Sequence, residues 1–224
     1  MAYKKSEETK KLILDAASRL FNENGYYDTD LKEIAAEAGL VHTGVYYYFK
    51  SKEEIASHLY DMHAFSILRF VMRVKKEEQP SPLFLCIMQY VLIVEKLANN
   101  RITEDYFFDM INYRMYDRHE MRRVRETYYA ALDDLFSAYN VDMSDDRMNL
   151  YILTSDSYAK SLILALKSNV TDYAPKEAFD YFFKHILLPD IGVDFEEYLE
   201  VKKQVFDYLE SVGEELPFFN QKNK

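Results

Sequence analysis

Between Gly39 and Ser51 the chain reads Leu40-Val41-His42-Thr43-Gly44-Val45-Tyr46-Tyr47-Tyr48-Phe49-Lys50. If Val45 and Phe49, four residues apart, anchor one side of a short helix, then His42, Thr43, Tyr46 and Tyr47 point away from the anchor. That outer set offers hydrogen-bonding and aromatic groups with no acid among them. Such groups suit contact with base edges in a DNA groove. Lys50 and Lys52 follow at once, next to a helix start at Ser51, and lysines beside a helix N-terminus suit phosphate contacts. Spacing alone leaves a second reading open. Three consecutive tyrosines in a chain with 20 tyrosines also fit a solvated helix of a tyrosine-rich protein.

Chemistry of this kind needs the short helix held out on a small framework. The sequence predicts a first helix over about Ser6–Asn24, with Leu12, Ile13, Ala16, Ala17, Leu20 and Phe21 as its apolar stripe. Gly25 ends it. A second helix starts near Thr29-Asp30, where Asp30 and Glu33 have capping-box spacing and Leu31, Ile34, Ala35 and Ala38 form the buried face. Gly39 makes the turn into a third helix over about Val41–Tyr48. Ser51-Lys52-Glu53-Glu54 reads as a capping box opening a fourth helix, which runs to about Lys76. A helix of about eight residues, a glycine turn and a second short helix form the helix-turn-helix arrangement, whose second helix can enter the major groove.

The run Leu31-Lys32-Glu33-Ile34-Ala35-Ala36-Glu37-Ala38-Gly39-Leu40, then Val45-Tyr46-Tyr47-Tyr48-Phe49 and Ser51-Lys52-Glu53-Glu54, resembles the N-terminal signature of the TetR family of transcription regulators. The Leu12-to-Phe21 helix and Gly25 stand at the family's usual distances ahead of it, so the resemblance covers about residues 9–60. It implies an all-α, homodimeric protein that binds a palindromic double-stranded DNA operator as a ligand-released repressor. It also implies DNA-contact positions at Lys32, His42, Thr43, Tyr46, Tyr47 and Lys52. Two residues depart from the pattern. Val41 stands where a Ser or Thr usually caps the recognition helix, at a cost of about 1 kcal/mol. Gly44 lies inside that helix and costs about as much again relative to Ala.

Beyond the head, the prediction is a larger helical bundle, with a division into residues 1–50 for DNA binding and 51–224 for ligand binding and dimerisation. Only five glycines and five prolines occur, and none of either between Pro82 and Pro175, which favours long helices over short strands. After the break at Gln79–Pro82, helices are expected near 82–99, 103–117, 119–139, 145–168 and 175–188. A turn over Pro189–Gly192 precedes a last helix opened by Asp194 with Glu197. The helices near 145–168 and 175–188 are expected to form the dimer interface, with Leu150, Tyr158, Leu162, Ala165, Phe179, Phe182 and Phe183 as a hydrophobic seam. Residues 106–116 are apolar or aromatic around nearly the whole circumference. They read first as core and second as the wall of a small-molecule pocket, with Met62, Phe65, Phe107, Met110 and Tyr113 as candidate lining.

Charge is consistent with DNA binding without arguing for it. Of 28 basic and 38 acidic residues, eight of each fall within residues 1–52, so the body carries the whole excess of ten negative charges. The charged N-terminus has no apolar stretch of signal-peptide type, and the nearly apolar run Leu83–Val94 is too short to span a bilayer, so a cytoplasmic protein without a membrane partner is expected. The single Cys86 reads as core. His58 and His63 are five apart and do not share a helix face, so no metal site is expected, nor any cofactor. No Gly-rich phosphate loop, nucleophile elbow or HExxH motif supports an enzyme. The alternatives are a helical enzyme or carrier using a body cavity, and an interaction protein with a degenerate head.

Overall fold

A computed structural model describes residues 2–99, 130–167, 170 and 175–213. All regular structure among the described residues is helical. The chain divides into two compact units, one containing Met1–His63 and Asn99, and one containing Ala64–Ala98 and the described residues from Ala130 on.

The first unit holds α1 (Ala2–Asn24), α2 (Leu31–Glu37), α3 (His42–Val45) and the opening turns of α4 (Lys52–Glu77). Ile13, Ala16, Ala17 and Phe21 of α1, Ile34 and Ala35 of α2, Val45, Phe49, and Ile55 and Ala56 of α4 are all buried and make up the apolar interior of this unit. The stripe on α1 differs from expectation at one edge. Leu12 is 53% exposed and Leu14 is buried instead, because the packed face is centred between Ile13 and Ala17 rather than along the Leu12 side. Helix α2 carries the expected capping box. The Asp30 carboxylate accepts the N–H groups of Lys32 (2.7 Å) and Glu33 (2.9 Å), and the Glu33 carboxylate accepts the Asp30 N–H (2.8 Å). Gly39 turns the chain at φ +69°, a left-handed conformation that a side chain would strain.

Helix α4 starts with a variant of the box. Ser51 Oγ accepts the Glu54 N–H (3.2 Å), but the Glu54 carboxylate reaches one residue further back, to the Lys50 N–H (2.6 Å). The helix is continuous, and its residues from Ala64 on belong to the second unit.

The second unit contains α5 (Pro82–Asn99) as far as Ala98, α6 (Ala130–Ala138), α7 (Asp145–Lys167), α8 (Pro175–Phe182), a π-helical turn (Phe183–Leu187), α9 (Leu188–Ile191) and α10 (Phe195–Val212). The expected helix at 103–117 lies outside the described residues, as does most of that at 119–139. Helix α5 is buried nearly all round from Leu83 to Met88, with the Cys86 thiol pushed up by burial and so inert as a nucleophile. No described helix is long and apolar enough to cross a membrane.

Two expectations for this unit change. Pro189–Gly192 is not simply a turn: Leu188–Ile191 is helical and only Gly192, at φ +67°, leaves the helix. The widened π turn explains how a proline is tolerated there. The Leu188 N–H reaches back to the Phe183 carbonyl, five residues earlier, which loosens the ladder where Pro189 brings no N–H. Asp194 stands at the cap of α10, but its side chain accepts no capping bond.

The proposed seam also needs correction. Phe179, Phe182 and Phe183 are core residues. Their spacing places them on one face, and that face turns inward onto the Tyr90 ring of α5, at 6.1, 5.3 and 5.5 Å. Phe183 also stacks on Tyr198 of α10 at 4.7 Å. The outward side of the same stretch carries Tyr181 and His185, whose rings are 4.4 Å apart. Tyr181 lies parallel to Tyr158 of α7 at 6.2 Å, and Leu150 on α7 is 66% exposed.

Candidate nucleic-acid interface

Helices α1 and α2 pack on each other, and α2 packs on α3, so the third helix is carried by the first two. The Arg19–Glu37 ion pair (3.0 Å) ties α1 to the end of α2. Val45 (0% exposed) and Phe49 (1%) are the anchors the spacing implied. The Phe49 ring has the His58 ring on its edge at 5.3 Å and the Lys10 ammonium 5.6 Å from its centroid.

With that side fixed, the opposite side of α3 faces solvent. Thr43 and Tyr46 are exposed, Tyr47 is 85% exposed, and His42 is half-buried with its ring against the edge of Tyr46 at 5.1 Å. The regular helix is shorter than expected, four residues followed by a turn over Tyr46–Tyr48. Its sequence accounts for this. Val41 makes no side-chain capping bond, and Gly44 adds backbone freedom inside the only full turn.

A concavity of about 450 Å³ adjoins the exposed face, and its lining includes Tyr27, Thr29, Lys32, His42, Tyr46 and Lys52. Four of the six expected contact residues therefore meet there, while Thr43 and Tyr47 project outside it. Its charge is mixed, since Asp28, Asp30 and Glu33 also line it. The hydrogen bonds from the Glu33 and Lys32 N–H groups hold the Asp30 carboxyl below its ordinary value. A phosphate inside this hollow would meet the carboxyl groups of Asp28, Asp30 and Glu33 as well as the Lys32 and Lys52 ammonium groups.

Lys52 is the residue whose placement the sequence did not reveal. Its ammonium donates to the carbonyls of Tyr26 (2.7 Å), Thr29 (2.8 Å) and, more weakly, Tyr27 (3.4 Å). It also lies 4.5 Å from the centroid of the Tyr26 ring. Nothing in the types or spacing of Tyr26, Tyr27 and Thr29 marks them as partners of a lysine so far along the chain.

For the expected small-molecule pocket, Met62 and Phe65 on α4 are exposed, and Phe107, Met110 and Tyr113 lie outside the described residues. Among the described residues no cluster of His, Cys, Asp or Glu has the make-up of a metal site.

Residues 13–59 match the family model described as bacterial regulatory proteins, tetR family. The chain is 29% identical over 100 residues to the HTH-type transcriptional regulator AcrR of Shigella flexneri, covering 45% of each protein. It is 28% identical over 107 residues to the HTH-type transcriptional repressor BepR of Brucella suis, covering 48% of this chain and 51% of that one. The chain thus spans about half the length of these curated relatives. Among solved structures, the fold is similar to that of RolR in complex with resorcinol (TM-score 0.63, 16% identity, 90% of this chain and 96% of that one). It is also similar to a gamma-butyrolactone receptor, an ArpA-like protein (TM-score 0.53, 18% identity, 91% and 99%). At such identities the likeness is one of fold alone.

Proposed function

We propose that this chain, whose head belongs to the tetR family of bacterial regulatory proteins, is a cytoplasmic, homodimeric transcription repressor that leaves its operator when a small molecule binds the body. The observation that carries the reading is the two-sided third helix. Val45 and Phe49 are sealed into the core while Thr43, Tyr46 and Tyr47 stand in solvent, directly after the Gly39 turn. A helix presented this way by two supporting helices has the geometry for the major groove.

In this reading His42 and Thr43 address base edges, Tyr46 and Tyr47 contact the backbone and flanking bases, and Lys32 meets phosphate. The body supplies the effector site, for which Met62, Phe65, Phe107, Met110 and Tyr113 remain our candidates, and the dimer contact through α7 and α8. Two heads related by a two-fold axis would then read the two halves of a palindrome. No catalytic role is assigned to any residue.

The test is a titration of the purified chain with DNA flanking its own gene, competed by random-sequence duplex. Retention of one fragment containing an inverted repeat against excess competitor is the expected result. Equal affinity for every duplex, or none, would favour a carrier or interaction protein with a degenerate head.

A further inference from the structure

The first turn of α4 grips the turn between α1 and α2 at a single residue, Tyr26, from three directions. The Lys52 ammonium takes the Tyr26 carbonyl at 2.7 Å and sits 4.5 Å from its ring centroid. The neighbouring Glu53 carboxylate accepts a hydrogen bond from the Tyr26 side chain. Tyr26 is itself buried, with its ring edge-on to Phe21 of α1 at 5.4 Å.

The same ammonium takes the carbonyl of Thr29, the last residue before the Asp30 cap of α2. The Thr29 hydroxyl meanwhile donates to the Gly25 carbonyl at 2.8 Å. Carbonyls of Gly25, Tyr26 and Thr29 thus each accept a side-chain donor from within the head, two of them from Lys52. Crowded carbonyl dipoles need a cation or water, and unmade hydrogen bonds at a partly buried site are costly. Lys52 acts here as an internal cation.

An ammonium has three donors and no more. Two are committed at 2.7 and 2.8 Å and the third is directed at the Tyr27 carbonyl at 3.4 Å. To meet a DNA phosphate the side chain would have to abandon the loop it holds. The geometry points to Lys52 as a positioning residue: it locks the Tyr26–Thr29 turn to the start of α4, thereby setting where α2 and its Lys32 stand for DNA, and it is not a phosphate ligand. This inference rests on the DNA-binding reading above.

Lys52→Met and Lys52→Arg separate the two roles. Methionine keeps the apolar stem on the Tyr26 ring and removes the charge. Arginine keeps the charge, and its planar fork suits a phosphate at least as well as an ammonium does, but it cannot converge three donors on one ring of carbonyls. Affinity for a fluorescently labelled random-sequence duplex is measured across a salt series, with Lys32→Ala as the phosphate control. Amide hydrogen exchange over residues 26–33 is followed in parallel.

A positioning role predicts faster exchange over that stretch in both Lys52 variants. It also predicts a loss of affinity by a similar factor at every salt concentration, with the salt slope unchanged. Lys32→Ala should lower the slope by about one unit. A slope lowered by about one in Lys52→Met and restored in Lys52→Arg, with exchange unaltered, would make Lys52 a phosphate ligand and overturn the inference. Unchanged affinity in both variants would reduce it to a stability contact and also overturn it.

If either variant fails to fold, the wild-type chain labelled with nitrogen-15 lysine decides. The Lys52 ammonium protons should be protected from exchange, and their signal should stay in place when duplex is added. Rapid exchange or movement onto phosphate sinks the idea. A chain that binds no duplex at all would remove the DNA-binding reading, and the exchange data would still decide whether Lys52 holds the turn.

Discussion

A Cβ placed on Gly44 would come no closer to its nearest neighbour, Val41 Cγ2, than 3.7 Å. That is ordinary van der Waals contact, and Gly44 has no left-handed backbone conformation to preserve. Nothing within the head requires glycine at this position. Val41 in turn is 72% exposed and caps nothing. Gly44→Ala should therefore stabilise the free head by up to about 1 kcal/mol, and Val41→Ser by about 1 kcal/mol through a new cap. Thermal unfolding checks both, with an upward shift expected for each. A fall in stability for Gly44→Ala would mean that contacts not seen here hold the helix.

The Asp30 cap makes a pH-dependent contribution. Its carboxyl is held below the ordinary value of 3.8 by hydrogen bonds from the Glu33 and Lys32 N–H groups, with the Lys32 and His42 charges assisting. A depressed folded-state value means the carboxylate favours folding above 3.8, and that this contribution fades as pH falls through the lower folded value. Asp30→Ala should unfold at a lower temperature than wild type at neutral pH, and the gap should narrow as the pH drops below 3.8. A gap independent of pH would show that the carboxylate charge is not what caps α2.

Contacts to bases and to phosphates should part company under mutation. His42→Ala or Thr43→Ala should change which base pairs are preferred, at about 1–3 kcal/mol per position. Lys32→Ala should weaken all duplexes alike. Selection from a randomised DNA pool by each variant checks this, and identical selected motifs from all three would count against the assigned register.

The dimer face and the core can be told apart on α7 and α8. Leu150→Asp and Tyr181→Asp place a charge on side chains that are exposed in one chain. They should shift sedimentation toward the 26.6 kDa monomer while leaving the fold helical. Phe183→Ala removes a fully buried ring stacked on Tyr198 and should cost about 3–5 kcal/mol of stability. Unaltered sedimentation for both aspartate variants would place the dimer contact elsewhere.

The Tyr151 hydroxyl is buried with no hydrogen-bond partner among the described residues, and its ring packs edge-on to Phe136 at 5.2 Å. Burial pushes its ionisation well above the usual tyrosine range. Tyr151→Phe should be neutral or stabilising by about 1 kcal/mol, since it removes an unmade bond and keeps the ring. A clear loss of stability in chemical denaturation would reveal a partner for the hydroxyl.

The sequence by itself determined the helices of the head and most of their ends. The left-handed turns at Gly25 and Gly39 and the Asp30–Glu33 box are decided by groups within a few residues of each other, and such local physics is legible in one dimension. The anchoring of Val45 and Phe49 was equally legible, because a four-residue spacing fixes which side chains share a face. Which face turns inward was not. Leu12 lies outside the α1 core, and Phe179, Phe182 and Phe183 are buried against Tyr90 of the same chain, since apolar spacing marks a stripe without saying what covers it. The partner of Lys52 was beyond reach for a related reason. A lysine at a helix start reads as a phosphate contact, and nothing near it in the sequence announces that the fold brings the carbonyls of Tyr26 and Thr29, 26 and 23 residues away, to its ammonium. Only tertiary structure shows these partners, because carbonyls occur in every turn and carry no mark in the sequence of where they will point.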